Sequence, residues 1–319
     1  MFKTDVEAAD AFLKKINQLK AEIAKKVIGQ DEVIDQVLIS VFCKGHALLV
    51  GVPGLAKTLM INTIADCMGL NFNRIQFTPD LMPSDIIGAE VLDEKRAFKF
   101  IKGPVFSNII LADEINRTPP KTQAALLEAM QERTVTVAGN NHQLDNPFFV
   151  LATQNPIEQE GTYPLPEAQL DRFMFNIEVD YPSFQEEIKI IEETTGVSDI
   201  KLDVVINKEE IIFFQELIRR VPVNQSVVEY AVSLVQKSRP NAQNATDFIK
   251  KYVSWGAGPR ASQYLILGAK CHALKFGKYS PDIEDVKAVA KPILRHRLVK
   301  NYLAEADGLN VDSIIAEIL

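Results

Sequence analysis

Gly51-Val52-Pro53-Gly54-Leu55-Ala56-Lys57-Thr58 is the stretch around which this chain is organised. It follows an apolar run, Ala47-Leu48-Leu49-Val50, and precedes residues 59–66, whose apolar positions recur with helical spacing. A strand, a glycine-containing turn and a helix are the context of a phosphate-binding loop, whose backbone N–H groups and helix N-terminus surround a polyphosphate. In such a loop Lys57 would reach the β- and γ-phosphates, and the Thr58 hydroxyl would bind Mg²⁺.

Ala56 is the one departure from the usual pattern of this loop, because a glycine normally stands at that position. The Cβ atom of Ala56 is tolerable if the residue has a helical, negative φ, which is what we expect. The alternative interpretation is an ordinary Gly/Pro turn followed by a surface lysine.

Length and composition set the class of protein. The chain has 319 residues, of which 47% are apolar, so it can form about two domains with large cores. Its net charge of −7 and pI near 5.3 give no bulk attraction to nucleic acid or an anionic membrane, although a local basic pore remains compatible with them. The three cysteines lack metal-ligand spacing and indicate a reducing compartment. With no signal-like start and no spanning run, we expect a soluble cytoplasmic protein.

Two acids follow the next strongly apolar strand. After Asn108, residues 109–112 form a continuous apolar run that ends in Asp113-Glu114, and the carboxyl ends of parallel strands are where α/β sheets bind ligands. Asp113 suits the Mg²⁺ shell, and Glu114 suits a general base that polarises an attacking water. Alternatively, both acids cap the helix predicted over residues 119–132.

A polar residue follows a third buried strand, predicted over residues 148–153. Asn155 could hold the attacking water or the γ-phosphate through its amide, although Asn-Pro after a strand is also a common turn. Near the start of the chain, Val27-Ile28-Gly29-Gln30 could cover an adenine ring. A plain helix C-cap at Gly29, ending the first helix, explains this segment equally well.

Two segments interrupt the α/β alternation. Residues 84–101 contain two short apolar or β-rich runs. The first comprises Ile86-Ile87 with Val91-Leu92, the second comprises residues 98–101, and Asp93-Glu94-Lys95-Arg96 separates them. A long irregular loop is the alternative interpretation of this segment. Residues 134–144 alternate around central turn residues and predict a β-hairpin, in which His142 is expected to be a solvated turn residue.

The pattern changes after Asp180-Tyr181-Pro182. Strands nearly cease there and helical periodicity takes over, which predicts an α/β domain over residues 1–182 and a helical domain over 183–319. Helices are predicted over 185–195, 208–220, 225–237, 259–276 and 281–290.

Several motifs together resemble the MoxR family of AAA+ ATPases. They are the octapeptide, Leu111-Ala112-Asp113-Glu114-Ile115-Asn116-Arg117, Leu126-Leu127-Glu128-Ala129-Met130-Gln131-Glu132, Ala152-Thr153-Gln154-Asn155-Pro156, Leu165-Pro166-Glu167-Ala168-Gln169-Leu170-Asp171-Arg172-Phe173 and Gly258-Pro259-Arg260. The resemblance implies a P-loop α/β fold with a parallel five-stranded sheet flanked by helices, followed by a smaller all-α lid. Many members of this family also carry an alanine at the position of Ala56.

The resemblance also implies roles that spacing does not show. The octapeptide would be the Walker A loop, Asp113 and Glu114 the Walker B pair, and Asn155 sensor 1. Arg260 would be sensor 2, reaching the phosphates of its own subunit, and Arg172 the arginine finger that faces the nucleotide of the next subunit. Without the family, Arg172 is an exposed arginine forming an ion pair with Asp171.

Partners follow from the same resemblance. It implies ATP and Mg²⁺ as cofactors, a homo-oligomeric, hexameric ring, and client proteins. In related machines the two inserted segments line a central pore or contact a client. Partners with von Willebrand factor A domains are also implied. The first function that the resemblance implies is an ATP-driven remodelling chaperone that assists the maturation or metal loading of client proteins. Two other functions remain open: a DNA-directed motor or loader, for which the acidic balance is unfavourable, and a nucleotide-gated scaffold with little turnover.

Overall fold

The computed structural model describes residues 2–92, 94, 96–158, 160–196 and 200–319. The strands are β1 (Ala47–Val50), β2 (Phe72–Gln76), β3 (Gly88–Leu92), β4 (Phe98–Lys102), β5 (Ile109–Asp113), β6 (Thr134–Val137), β7 (Asn140–Gln143), β8 (Phe149–Gln154), β9 (Phe175–Glu178), β10 (Val253–Trp255) and β11 (Val299–Lys300). The helices are α1 (Asp5–Ile23), α2 (Asp31–Phe42), α3 (Lys57–Cys67), α4 (Pro83–Ile87), α5 (Pro120–Glu132), α6 (Glu167–Leu170), α7 (Phe184–Thr194), α8 (Lys208–Arg220), α9 (Gln225–Lys237), α10 (Asp247–Tyr252), α11 (Pro259–Lys275), α12 (Ile283–Leu294), α13 (Tyr302–Ala306) and α14 (Val311–Ile318). A 3₁₀ turn spans Ile115–Arg117.

Five strands form the predicted parallel sheet, in the order β2-β5-β8-β1-β9. The interior strands β5, β8 and β1 are buried almost throughout, which explains their continuous apolar sequences. The edge strand β2 is mostly half-buried or exposed, and this explains its alternating sequence. Because all five strands run in one direction, the phosphate loop after β1, Asp113 at the end of β5 and Asn155 after β8 meet at one edge of the sheet.

The sheet separates two apolar cores. Alternate residues of β1 point to opposite faces, so Leu49 joins the core under α1 to α3, while Leu48 joins the core under α5. The first helix ends at Ile23 and is capped at Ala24, so the prediction that Gly29 ends it is wrong.

The two inserted segments form antiparallel hairpins, β3–β4 and β6–β7. Ile86-Ile87 belongs to the short helix α4 rather than to a strand, because Pro83 opens a helical turn there. Asp93 and Lys95 of the predicted turn lie outside the described residues.

His142 is not a solvated turn residue, contrary to the prediction. It lies in β7, half-buried, and stacks on Phe100 of β4 with ring centroids 4.0 Å apart and planes 19° apart. Asn140 Nδ2 also donates to Glu90 Oε1 at 3.5 Å. The two hairpins therefore pack against each other.

The C-terminal part is helical, as predicted, and α8 and α9 have the predicted bounds. The helix predicted over 281–290 instead runs over Ile283–Leu294, capped by Asp282, and continues through Pro292. Helices α10, α13 and α14 and the small antiparallel pair β10–β11 have no counterpart in the prediction, because their segments are short.

The N-terminal helix joins the two parts. Phe12 of α1 packs edge-on against Phe42 of α2 and Phe214 of α8, with centroids 5.1 and 5.3 Å apart. One core extends from Ala8 to Ile318. The predicted boundary after residue 182 falls between β9 and α7, and the division into residues 1–182 and 183–319 stays a prediction.

Within the described part of the chain, no helix combines the length and the apolar character needed to cross a bilayer.

Candidate active site

A cavity of about 390 Å³ opens at the carboxyl edge of the sheet. Residues 53–58 of the phosphate loop line one side of it. The other side is formed by side chains from β2, β5 and β8 or the residues just after them: Arg74, Asp113, Glu114, Thr153 and Asn155. The structure thus brings together the acids, the amide and the loop that the sequence places far apart.

Lys57 begins α3 and lines this cavity. Its ammonium group donates to the carbonyl oxygens of Gly51 at 2.5 Å and Val52 at 3.2 Å, so these two residues hold the lysine rather than line the cavity. Burial lowers the pKa of Lys57, and the carboxylates of Asp113 and Glu114 oppose that shift. A half-buried cation next to two acids is suited to receive the charge of a phosphate.

Ala56 adopts a left-handed conformation, with φ of 54° and ψ of 23°, so the expectation of a negative φ is wrong. Ala56 directly precedes Lys57, the first residue of α3, and its left-handed conformation turns the chain into that helix. Gly54, with φ of 85°, is also in a conformation that disfavours a side chain. The loop therefore needs two positive φ angles, and only one of them is met by glycine.

Asp113 ends β5 with its carboxylate directed into the cavity. Oδ1 accepts a hydrogen bond from Thr153 Oγ1 at 2.6 Å, and Oδ2 accepts two from Arg74, from Nη2 at 2.6 Å and Nε at 3.0 Å. Thr58 lines the same cavity. A carboxylate and a hydroxyl are oxygen donors that Mg²⁺ prefers, so this pair fits the predicted metal site.

Glu114 is held in a strained conformation, with a φ of 57°. Its backbone N–H donates to Thr153 Oγ1 at 2.9 Å, and its Oε2 accepts from Gln76 Nε2 and Arg117 Nη1, both at 2.9 Å. Positive φ angles of residues other than glycine occur preferentially at functional sites. The strain turns the Glu114 side chain away from the strand axis and into the polar cluster at the cavity.

Asn155 is buried and lines the cavity just after β8. Its Oδ1 accepts from the backbone N–H of Ile157 at 3.1 Å, which fixes the side chain. The amide NH₂ group is then the part of Asn155 that can donate to a bound anion or water.

A second cavity, of about 150 Å³, adjoins the phosphate loop. Its walls are mainly apolar and include Val27, Ile28, Leu55 and Ile190, as a purine base requires. Gln30 also lines it and donates through Nε2 to Asp180 O at 2.8 Å.

Gly29 is not among the residues that line this cavity. Its φ is 68°, and a Cβ atom there would lie 2.4 Å from Glu186 Oε1. It makes a tight turn against α7, and its prediction as a nucleotide-binding residue stays a prediction.

Arg172 is half-buried and does not pair with Asp171, so the simple ion pair expected of it is wrong. Its Nη1 donates to Leu127 O at 2.5 Å, and its side chain lines a separate cavity beside Glu128 and Glu132. The guanidinium is therefore on a surface of α5, outside the cavity of its own phosphate loop.

Arg260 does not line the phosphate cavity, and its contact with the nucleotide of its own subunit stays a prediction. Its Nη1 donates to Asp171 Oδ2 at 3.0 Å, while the buried Arg297 donates through Nε to Asp171 Oδ1 at 2.7 Å. Arg297 also binds the carbonyl oxygens of Asp171, Phe173, Met174 and Ile293. Arg260 thus lies with the segment that carries Arg172.

Sequence reasoning missed four side chains that organise the acids: Arg74, Gln76, Arg117 and Thr153. Arg74 and Gln76 stand two apart at the carboxyl end of β2, where their alternation placed them on one face. The sequence shows this alternation, but only the pairing of β2 with β5 in the sheet shows that this face lies beside Asp113 and Glu114.

Comparison with known proteins gives a consistent assignment. The profile of the ATPase family associated with various cellular activities (AAA) matches residues 46–175, and an AAA lid domain profile matches residues 247–318. Chaperone MoxR1 of Mycobacterium tuberculosis is 44% identical over 299 residues, which cover 93% of this chain and 79% of that protein. The uncharacterized protein YeaC of Bacillus subtilis is 43% identical, with coverage of 93% and 91%.

A solved structure has the same fold over nearly its whole length. It is a protein of Cytophaga hutchinsonii described as a candidate ATPase, with a TM-score of 0.92 and 44% identity, covering 98% of this chain and 95% of that one. The chain belongs to the MoxR family of AAA+ ATPases.

Proposed function

We propose that this chain binds Mg-ATP in the cavity beside the phosphate loop and hydrolyses it between neighbouring copies of itself. The observation that carries this proposal is the meeting of Lys57, Thr58, Asp113, Glu114 and Asn155 around one cavity. A base-sized apolar cavity continues from the same loop, which supports a purine nucleotide as the ligand.

The chemistry divides between these groups. Lys57 and the N-terminus of α3 stabilise phosphate charge, and Mg²⁺ bound through Thr58 and Asp113 would neutralise the charge that develops on the phosphate oxygens. Glu114 accepts the proton of the attacking water, and Asn155 orients that water or the γ-phosphate. Gln76 and Arg117 both donate to Glu114 Oε2 and fix the orientation of its carboxylate.

Arg172 supplies a positive charge to the neighbouring subunit in this proposal. Its position outside its own phosphate cavity supports a role across an interface, where an arginine finger contributes ~10³–10⁵ in rate. Arg260, held by the same Asp171, would act at that interface rather than on its own nucleotide. Head-to-tail contacts of this kind close into a ring, for which a hexamer is the proposed form.

The energy of hydrolysis is used, we propose, to remodel client proteins in the cytoplasm. The relative named a chaperone supports this function. The packing of His142 on Phe100 would let the two hairpins move as one unit against a client or a partner with a von Willebrand factor A domain. Three buried, free cysteines agree with a reducing compartment.

The direct test uses three variants and separates binding from turnover. Lys57→Ala should lose Mg-ATP binding. Glu114→Gln should bind Mg-ATP as the unmodified protein does, while its turnover falls about 10²-fold or more because the base is lost. Binding is measured by calorimetry and turnover by phosphate release.

Glu158→Gln is the matched control. Glu158 is another acid paired with Arg117, at 3.4 Å, but it does not line the phosphate cavity. Its variant should keep turnover within about twofold. Turnover of Glu114→Gln that equals that of Glu158→Gln would remove Glu114 from the proposed role.

A further inference from the structure

Arg74 extends from the edge strand β2 into the phosphate cavity and binds the acid predicted to hold Mg²⁺. Two of its nitrogens, Nη2 and Nε, donate to the same oxygen, Asp113 Oδ2, at 2.6 and 3.0 Å. The Arg74 side chain is 48% exposed, whereas that of Asp113 is 15% exposed. The arginine can therefore leave the carboxylate by turning toward solvent, without any change in the sheet.

We infer that Arg74 and Mg²⁺ compete for Asp113, so that Arg74 is a counter-ion built into the metal-free site. This inference rests on the Mg-ATP binding proposed above. Asp113 and Glu114 both line the cavity in which the phosphates would lie, and without a cation their charges oppose those of a phosphate. Arg74 neutralises Asp113, which lowers that repulsion when the nucleotide arrives without metal.

The same arginine opposes metal binding. A divalent cation on Asp113 would be repelled by a guanidinium on the same carboxylate, so one of the two must leave. Coupling between two binding sites is reciprocal. Because Arg74 favours the binding of nucleotide without metal, it must make nucleotide affinity depend less on Mg²⁺.

The competition extends to the predicted base. Arg74 Nη2 also donates to Gln76 Oε1 at 2.7 Å, and Gln76 Nε2 donates to Glu114 Oε2 at 2.9 Å. The contact to Arg74 thus sets which end of the Gln76 amide faces Glu114. When Arg74 leaves Asp113, this restraint on Glu114 is released by the same movement.

The experiment measures binding of a fluorescent ADP analogue by anisotropy, once in EDTA and then across a series of Mg²⁺ concentrations. ADP is used because no hydrolysis interferes. Arg74→Gln removes the charge at a half-exposed edge position, and circular dichroism verifies the fold. Arg220→Gln is the matched control, because Arg220 has a similarly exposed side chain and also donates two hydrogen bonds to one aspartate, Asp5, but it does not line the phosphate cavity.

In EDTA the Kd of Arg74→Gln should rise about threefold to tenfold, as expected for a partly exposed charge pair. At saturating Mg²⁺ the Kd of Arg74→Gln should equal that of the unmodified protein. The Mg²⁺ concentration that produces half of the total change in Kd should be lower in Arg74→Gln than in the unmodified protein, by a similar factor. Arg74→Lys should recover part of the binding in EDTA, since an ammonium group also neutralises Asp113. Arg220→Gln should leave the ratio of the two Kd values unchanged.

Equal weakening of Arg74→Gln with and without Mg²⁺ would contradict the inference, because Arg74 would then be a plain phosphate ligand. An unchanged Kd of Arg74→Gln in EDTA, or the same asymmetry in Arg220→Gln, would also overturn it. If the unmodified protein bound no nucleotide even with Mg²⁺, the proposed function would fail, and this inference with it.

Discussion

At the scale of single residues, two side chains of the site have backbone conformations that their residue types disfavour. Ala56 and Glu114 have φ angles of 54° and 57°. Sequence identified both positions as functional, but it did not predict their conformations, because the expectation for Ala56 was a negative φ. A left-handed residue is recognised from sequence mainly when it is glycine, asparagine or aspartate, so neither residue type gave a signal.

Ala56→Gly should stabilise the nucleotide-free protein. A left-handed alanine costs the folded protein about 1–2 kcal/mol, and glycine removes that cost. Glycine also gives the unfolded chain more conformational entropy, which offsets about 0.4–1 kcal/mol of the gain. The free energy of unfolding should therefore rise by about 0.5–1 kcal/mol in urea denaturation.

Gly54→Ala is the opposite control for that substitution. Its φ is 85° and nothing lies within 4 Å of an added Cβ atom, so any loss comes from the backbone alone. It should lose about 1 kcal/mol. A loss of stability in Ala56→Gly would show that the left-handed conformation is not the one adopted in solution.

At the scale of elements, the sequence predicted the interior strands β1, β5 and β8, because buried parallel strands have continuous apolar runs and functional residues follow their ends. It missed the elements whose position depends on tertiary contacts. The contact of His142 with Phe100 is one example, since residues 42 positions apart in a turn-rich region gave no sign of stacking. The place of Arg74 beside Asp113 is another, because it follows from strand order.

His46 connects three elements and makes stability depend on pH. Its Nδ1 accepts from Val150 N at 3.0 Å and its Nε2 lies 3.2 Å from Met130 O, so the buried ring is neutral. Burial lowers its pKa from 6.5 to about 4. Between these values the unfolded chain binds a proton that the folded chain does not, so stability falls as pH falls from about 6.5 to about 4.

The contribution of His46 to that loss should be about 3 kcal/mol, by the relation between pKa and free energy. His46→Gln should be less stable at pH 7, but its unfolding free energy should decrease less steeply over the same pH range. Denaturant titrations at several pH values give both curves. Parallel curves for the two proteins would mean that His46 is not held neutral by the fold.

At the scale of the whole molecule, the lid and the core meet at the segment that carries Arg172. Arg297, whose side chain is 2% exposed, donates to the Asp171 carboxylate and to the carbonyl oxygens of Asp171, Phe173, Met174 and Ile293. Motifs predicted the family and the lid, but they assigned Arg260 to its own nucleotide. The contact of Arg260 with Asp171 depends on how the lid docks, and a linear sequence carries no signal of that.

The most direct measurement of the central claim, hydrolysis between neighbouring copies, mixes two inactive chains. Lys57→Ala lacks a working ATP site but keeps Arg172, whereas Arg172→Ala keeps its ATP site. Each alone should be nearly inactive. In a random equal mixture about a quarter of the contacts join an intact ATP site to an intact Arg172, so activity should recover to about a quarter of the unmodified rate. No recovery in assemblies shown by mass photometry of size-tagged chains to contain both variants, or full activity of Arg172→Ala alone, would contradict the account.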